Sequence, residues 1–256
     1  MDGTRPLKEQ EERSILINFV LDKSGSMDAI RDATITGFNQ FLREQQEEGG
    51  AAALTLTLFD TSFTNVEQAT PIGQARLLDR SSYRPGGMTA LYDAIGHTMR
   101  ITDDYVAEHK PDQVIFVIMT DGMENSSREF DRAAILRMIE ERQQSAGYEF
   151  VYLGANQDSY AVGGSLGIRG GRTLDFAAAP AQAMETMHRL SVNVKSHRRS
   201  GHARAADQTF FSPEFEALGE QDYESYKAGR AKGPQRPKPT EAPGDGTAQG
   251  PSGGGA

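Results

Sequence analysis

Val20-Leu21-Asp22-Lys23-Ser24-Gly25-Ser26-Met27 is the stretch whose reading decides the fold. An apolar run, Ile15 to Leu21, leads into it and reads as a buried strand. Asp28 to Gln46 follows with apolar residues at helical spacing. The junction is Asp-x-Ser-x-Ser, one carboxylate and two hydroxyls on alternate residues, with Gly25 letting the loop turn tightly. Three oxygen groups at the carboxyl end of a strand make half of a hard-cation site. The same residues also suit a plain turn and helix cap, where Asp and Ser are favoured.

Working outward, strands and helices alternate. Ser14 to Leu21 suits a central strand covered on both faces. Ile30, Thr34, Phe38 and Leu42, widened by Phe41, give the buried stripe of the first helix, which Gly49-Gly50 ends. Leu54 to Phe59 is a second strand, Asp60-Thr61-Ser62 a tight turn, and Phe63 to Gln68 an antiparallel edge strand with polar Asn65 and Glu67. Pro71 to Arg84 is mixed, with Leu77-Leu78 expected to pack down. Pro85-Gly86-Gly87 is a loop before a second helix carrying Leu91, Ile95, Thr98, Ile101 or Thr102, and Tyr105.

Gln113 to Thr120 is the most apolar stretch and reads as the second central strand. Ser126-x-x-Glu129 matches a capping box and predicts a helix with Phe130, Ala134, Met138 and Ile139 inward. Tyr148 to Leu153 is a strand, Asp158 to Leu166 a short helix, and Arg172 to Phe176 a last short strand. Pro180 to Val194 is an amphipathic helix carrying Ala183, Met187, Leu190 and Val194. This order predicts an α/β fold with a mostly parallel sheet. The expected divisions are a polar arm over 1–13, one domain over 14–200, an aromatic extension over 201–227 and a disordered Gly/Pro-rich tail over 228–256. Phe210, Phe211, Phe215, Tyr223 and Tyr226 make the extension too aromatic for a pure linker; it either packs back on the domain or docks on a partner.

Composition narrows the function classes. The 256 residues carry 27 Lys+Arg against 36 Asp+Glu, a formal charge of −9. That balance argues against a nucleic-acid binder. Without cysteine, disulfides, thiolate zinc sites and a Cys nucleophile are excluded. The N-terminal residues show no apolar signal region, and no apolar run approaches the ~20 residues of a membrane span. A cytoplasmic protein is the expectation.

The chain supplies a second half for the cation site. Thr89 follows a glycine loop at a helix start, and Asp121 ends the second central strand. If the strands of Asp22 and Asp121 are neighbours, Asp22, Ser24, Ser26, Thr89 and Asp121 meet at one rim, where doubly wound sheets bind ligands. Oxygen-only donors favour Mg²⁺, Mn²⁺ or Ca²⁺ over zinc or copper. Three of the five groups are neutral hydroxyls, which would leave an ion electrophilic toward an external carboxylate.

With these residues in order, the chain resembles a von Willebrand factor type A domain with a metal-ion-dependent adhesion site. The resemblance runs from about Ser14 to Val194. It rests on Asp22-Lys23-Ser24-Gly25-Ser26, Thr89 within Gly-Gly-Met-Thr-Ala-Leu-Tyr-Asp, and Thr120-Asp121-Gly122. It implies a Rossmann-like sheet with one antiparallel edge strand and helices on both faces. It also implies Mg²⁺ or Mn²⁺, with Ca²⁺ less favoured, bound directly by Ser24, Ser26 and Thr89, with Asp22 and Asp121 acting directly or through water. The family's usual role is metal-dependent protein binding rather than catalysis. Its intracellular bacterial members often work in assemblies, some beside AAA+ ATPases or in stress-response systems.

Competing motifs are weaker. Gly163-Gly164-Ser165-Leu166-Gly167 matches a nucleophile elbow, with Asp175 and His188 in hydrolase order, but an elbow needs a strand just before the serine and a helical run precedes this one. A dehalogenase-like phosphotransferase needs a second carboxylate where Ser24 stands. The basic run Lys195 to Arg204 reads as a solvated helix end. The five histidines lack metal-ligand spacing. Asp60 and Asp93 lie near the rim, with Asp93 facing the second helix rather than acting as a ligand. The expected function is therefore a non-enzymatic, metal-dependent module that binds a partner's Asp or Glu. A hydrolase using Ser165 or the metal rim, and an assembly component with a vestigial site, are the alternatives.

Overall fold

A computed structural model describes residues 14–200 and 210–212, with single positions 217, 221, 224, 225 and 228. The expected N-terminal arm, most of the extension and nearly all of the tail lie outside the described residues.

The strands are β1 (Ile15–Asp22), β2 (Ala52–Phe59), β3 (Phe63–Pro71), β4 (Gln113–Thr120), β5 (Glu149–Ala155) and β6 (Thr173–Phe176). The helices are α1 (Arg31–Glu47), α2 (Leu91–His109), α3 (Arg132–Ser145), α4 (Ser159–Ser165) and α5 (Pro180–Ser200). One six-stranded sheet has the order β3-β2-β1-β4-β5-β6, and only β3 runs antiparallel. This is the mostly parallel α/β sheet with an antiparallel edge that the pattern predicts. The crossover helices cover both faces, which is why β1, β4 and β5 are buried along their full length.

Side-chain alternation divides the core in two. Ile15, Ile17, Phe19 and Leu21 of β1 meet α1 and α5, while Leu16 and Val20 meet α2 and α3. On the first face Phe19 packs edge-on to Phe38 and Phe41 of α1, ring centroids 5.4 and 5.6 Å apart. Phe210 and Phe211 join the same cluster, with Phe210 stacked on His197. These two aromatics pack back on the domain, which answers for them whether the segment docks in cis.

Several local expectations change. The first helix opens with a 3₁₀ turn, Gly25–Ile30, before the α-helix begins. Leu78 is buried but Leu77 is exposed, because Asn39 of α1 clasps the Leu78 backbone from both sides and fixes which residue points inward. Glu67 on the edge strand is buried and held by Thr70 and Arg76. The basic run is not a free solvated end over its described part. Lys195 pairs with Glu44, Arg199 with Glu48, and Arg198 reaches the Gln45 and Gly49 carbonyls, so these cations cover the carboxyl end of α1. Among the described residues, no helix is long and apolar enough to cross a membrane.

Ser126-x-x-Glu129 does not open a helix. The third helix starts at Arg132, capped by Asp131, whose carboxylate accepts from Ala134 N at 2.7 Å. The reason lies in α2. Asp93 accepts from the backbone N–H groups of Arg128, Glu129 and Phe130 at 2.8 to 2.9 Å, and Glu124 accepts from those of Ser126 and Ser127. Those donors are spent holding a loop against α2. Ile135, Ile139 and Gln143 form the buried stripe of α3, while Ala134 and Met138 pack only partly.

Candidate functional site

The two central strands place the site. Parallel β1 and β4 pair Leu21 with Met119, so the next residues, Asp22 and Thr120, end level with each other. The Thr120 hydroxyl donates to Asp22 Oδ2 at 2.5 Å. Asp22 Oδ1 accepts from Ser24 N at 2.6 Å, which folds the Asp-x-Ser turn onto its own carboxylate. From beneath, Tyr83 donates its hydroxyl to the Asp22 carbonyl at 2.5 Å. Asp22 is fully buried and held from three directions.

Two further loops close on this centre. Gly25 N donates to Gly87 O at 3.2 Å, and Gly86 N to Lys23 O at 2.8 Å, which joins the β1 loop to the glycine loop before α2. The turn expected of Gly25 needs no left-handed backbone: its φ is not positive, and an added Cβ would meet Gly87 O only at an ordinary 3.5 Å. Lys23 pairs with Asp60, and Asp60 O accepts from Ala90 N at 2.8 Å. The Asn125 side chain accepts from Thr89 N at 2.8 Å, while the Asn125 and Ser126 N–H groups donate to Thr89 O at 3.0 and 3.2 Å. Thr89 is thus pinned to the loop that follows Asp121.

The structure brings all five expected residues to one rim. Ser24 Oγ and Ser26 Oγ are 3.2 Å apart, and Ser26 donates to Asp121 Oδ1 at 2.6 Å. Gly122 links the remaining two: a Cβ built there would lie 2.9 Å from Thr89 Oγ1 and 3.8 Å from Asp22 Oδ2. The missing side chain leaves the space between those oxygens open. Asp60 and Asp93 serve the neighbouring loops: Asp93 lies on α2 itself and, rather than facing that helix, holds the backbone of residues 128–130.

The electrostatics follow from burial. Loss of water pushes the Asp22 carboxyl up to about 6, against the opposing bonds from Thr120 and Ser24, and the Asp121 charge adds to the rise. Burial also raises Asp121, with the bond from Ser26 opposing it. Two carboxylates held close in a poorly solvated rim favour a bound proton or a cation. The donor set, two carboxylates and three hydroxyls, suits a hard divalent ion. Among the described residues, no three His, Cys, Asp or Glu gather as a metal-ligand cluster. Hydroxyl donors are what distinguishes this rim.

Ser165, Asp175 and His188 do not converge as a relay. Ser165 donates to Val162 O within its own helix, Asp175 accepts from Ser159 N, and His188 faces Glu44 across α1 and α5. Sequence reading missed Tyr83, Asn125 and the part played by Thr120. Of these only Thr120 left a signal, its place at the end of the strand beside Asp22.

The sheet order, the antiparallel edge strand and the rim at the carboxyl ends of the central strands define a von Willebrand factor type A-like fold. No protein-family model matches the chain, and no curated protein matches it in sequence. Solved structures do resemble it. The vWF domain of the type V pili tip protein Mfa5 from Porphyromonas gingivalis superposes with a TM-score of 0.54 at 11% identity, over 74% of this chain and 98% of that one. The pilus adhesin SpaC from Lactobacillus rhamnosus GG gives 0.57 at 16% identity, over 73% of this chain and 30% of that one. Proximal thread matrix protein 1 from the mussel byssus, with a zinc-occupied MIDAS motif, gives 0.52 at 13%, over 72% of this chain and 48% of that one. This chain therefore spans nearly all of the Mfa5 domain but less than half of the other two. At these identities the likeness concerns the fold.

Proposed function

We propose that this chain is a divalent-metal-dependent protein-interaction module whose site receives a carboxylate from a partner. Ser24, Ser26 and Thr89 would hold the ion through their hydroxyls, and Asp22 and Asp121 would hold it directly or through water. Held there, Mg²⁺ or Mn²⁺ would supply a Lewis-acidic position for an Asp or Glu of the partner. The observation that carries the reading is the hydroxyl–carboxylate chain Ser24–Ser26–Asp121 set beside a buried Asp22, with Gly122 leaving space between Asp22 Oδ2 and Thr89 Oγ1. The mussel protein with zinc in a MIDAS motif supports the reading by example, since its fold is shared. An intracellular setting, beside an assembly such as an AAA+ ATPase or a stress-response complex, belongs to the same proposal. The absence of cysteine supports that setting.

The test is a Mn²⁺ titration read by the loss of the free-ion EPR signal, followed by a pull-down with and without EDTA. Wild type is expected to bind Mn²⁺, and Mg²⁺ to displace it. Asp121→Ala and Ser26→Ala, both on the accessible side of the rim, should lose the ion and the metal-dependent partners while keeping the far-UV spectrum. Absence of binding at millimolar Mn²⁺ and Mg²⁺ would reject the proposal in favour of a vestigial site.

A further inference from the structure

Large apolar side chains are exposed at five described positions: Leu77, Met88, Met123, Met184 and Val192. Two of them stand at the rim. Met88 directly precedes Thr89, and Met123, the most exposed at 74%, lies two residues past Asp121. Their loops are joined to each other through the hydrogen bonds between Thr89 and Asn125-Ser126. The Met88 backbone is fixed in addition by its N–H to Thr61 Oγ1 at 2.9 Å. Two exposed, flexible thioether side chains therefore stand on tied backbones next to Thr89 and Asp121.

We propose that Met88 and Met123 select the partner segment. They favour a single Asp or Glu flanked by apolar side chains, and they disfavour an acidic run. The proposal rests on the carboxylate-receptor reading of the rim and adds the chemistry around that carboxylate. Two physical points support it. Methionine adapts its shape to apolar neighbours at little conformational cost to them, and the tied loops need no further ordering. The charge balance points the same way: the chain carries −9, Asp121 adds a carboxylate at the rim, and the lysine of the rim loop, Lys23, is already paired with Asp60, so a polyacidic segment meets net repulsion. An isolated carboxylate between apolar residues escapes most of that repulsion and gains contact area on both methionines.

The experiment uses the full chain with Mg²⁺ and four fluorescein-labelled Gly/Ser peptides. Their centres are Leu-Asp-Leu, Ser-Asp-Ser, Asp-Asp-Asp and Leu-Asn-Leu, and binding is read by anisotropy. Leu-Asp-Leu should bind about tenfold tighter than Ser-Asp-Ser and Asp-Asp-Asp. Met88→Ser with Met123→Ser should erase that preference, and both positions are exposed, so folding is not at stake. Equal binding of the three Asp peptides, retention of the preference in the double variant, or no binding by any peptide overturns the rim proposal. Binding of Leu-Asn-Leu as strong as Leu-Asp-Leu, or binding that survives EDTA, overturns the carboxylate-receptor reading beneath it. Because Mn²⁺ uptake is measured separately, failure of the rim is distinguished from failure of the metal site.

Discussion

Thr120 and Asp22 end adjacent parallel strands, and the Thr120 hydroxyl donates to Asp22 Oδ2 at 2.5 Å. The same oxygen accepts from Gly122 N at 3.1 Å, so one hydroxyl orders both the carboxylate and the turn after Asp121. Thr120→Val keeps the shape and removes both bonds. A hydrogen bond to a charged, buried group is worth about 2 kcal/mol. The expected result is a loss of about that size in urea unfolding at neutral pH. Because this bond lowers the Asp22 pKa, its removal should also move the pH midpoint of Mn²⁺ uptake upward.

The pH dependence has a definite sign. Unfolded Asp22 titrates near 3.8 and folded Asp22 near about 6, with burial the leading cause. Between those values the folded chain keeps a proton that the unfolded chain has released. The contribution to stability is complete below pH ~4 and is lost as pH rises through ~6, by about 3 kcal/mol in the metal-free protein. Asp121, also raised, acts in the same direction. A bound divalent ion requires the deprotonated form, so Mg²⁺ should stabilise the fold little at pH 5 and substantially at pH 7. Urea unfolding at both pH values, with Mg²⁺ and with EDTA, checks the crossing.

Gly122 tests whether the gap at the rim matters. A methyl group there would stand 2.9 Å from Thr89 Oγ1, closer than a real contact allows, and a threonine rotamer change would relieve it. Gly122→Ala should leave stability within about 1 kcal/mol and lower Mn²⁺ affinity at least about tenfold, since the Thr89 hydroxyl is turned away. Gly86→Ala is the matched control: it keeps its N–H to Lys23 O, and an added Cβ meets nothing within 4 Å. Equal Mn²⁺ affinity in the two variants would show that Thr89 is not a ligand.

The strands were legible because burial on both faces writes itself as apolar runs, as in Ile15 to Leu21 and Gln113 to Thr120. The rim residues were legible because the Asp-x-Ser-x-Ser spacing, Thr89 and Asp121 all fall at strand ends or helix starts. Tyr83 and Asn125 were not, since each acts from an aperiodic loop on a backbone group far along the chain, and no local pattern records such a partner. The Ser126/Glu129 pattern misled for a related reason. A capping box is a claim on free N–H donors, and Asp93 and Glu124 had already taken those of residues 126–130. Gly25 does begin a tight turn, the 3₁₀ segment Gly25–Ile30, and makes it without a left-handed backbone.

Phe211 is fully buried in the core shared by α1 and α5, and its N–H donates to Gly171 O at 3.0 Å. Phe210 lies against it edge-on, centroids 5.1 Å apart, and stacks on His197 of α5 at 4.8 Å. Phe210 and Phe211, which follow α5, therefore belong to the hydrophobic core. Removing a buried phenyl ring costs about 3–5 kcal/mol when the neighbours do not collapse. Phe211→Ala should destabilise the domain by about that amount in urea, with Phe210→Ala also costly because that ring is nearly as buried. Hydrogen exchange should show the loss spreading to α5, where His197 and the Arg198 contacts to α1 depend on the same packing. An unchanged unfolding midpoint in Phe211→Ala would instead mean that the aromatic pair adds nothing to the fold, which would leave the extension free to act as a docking peptide.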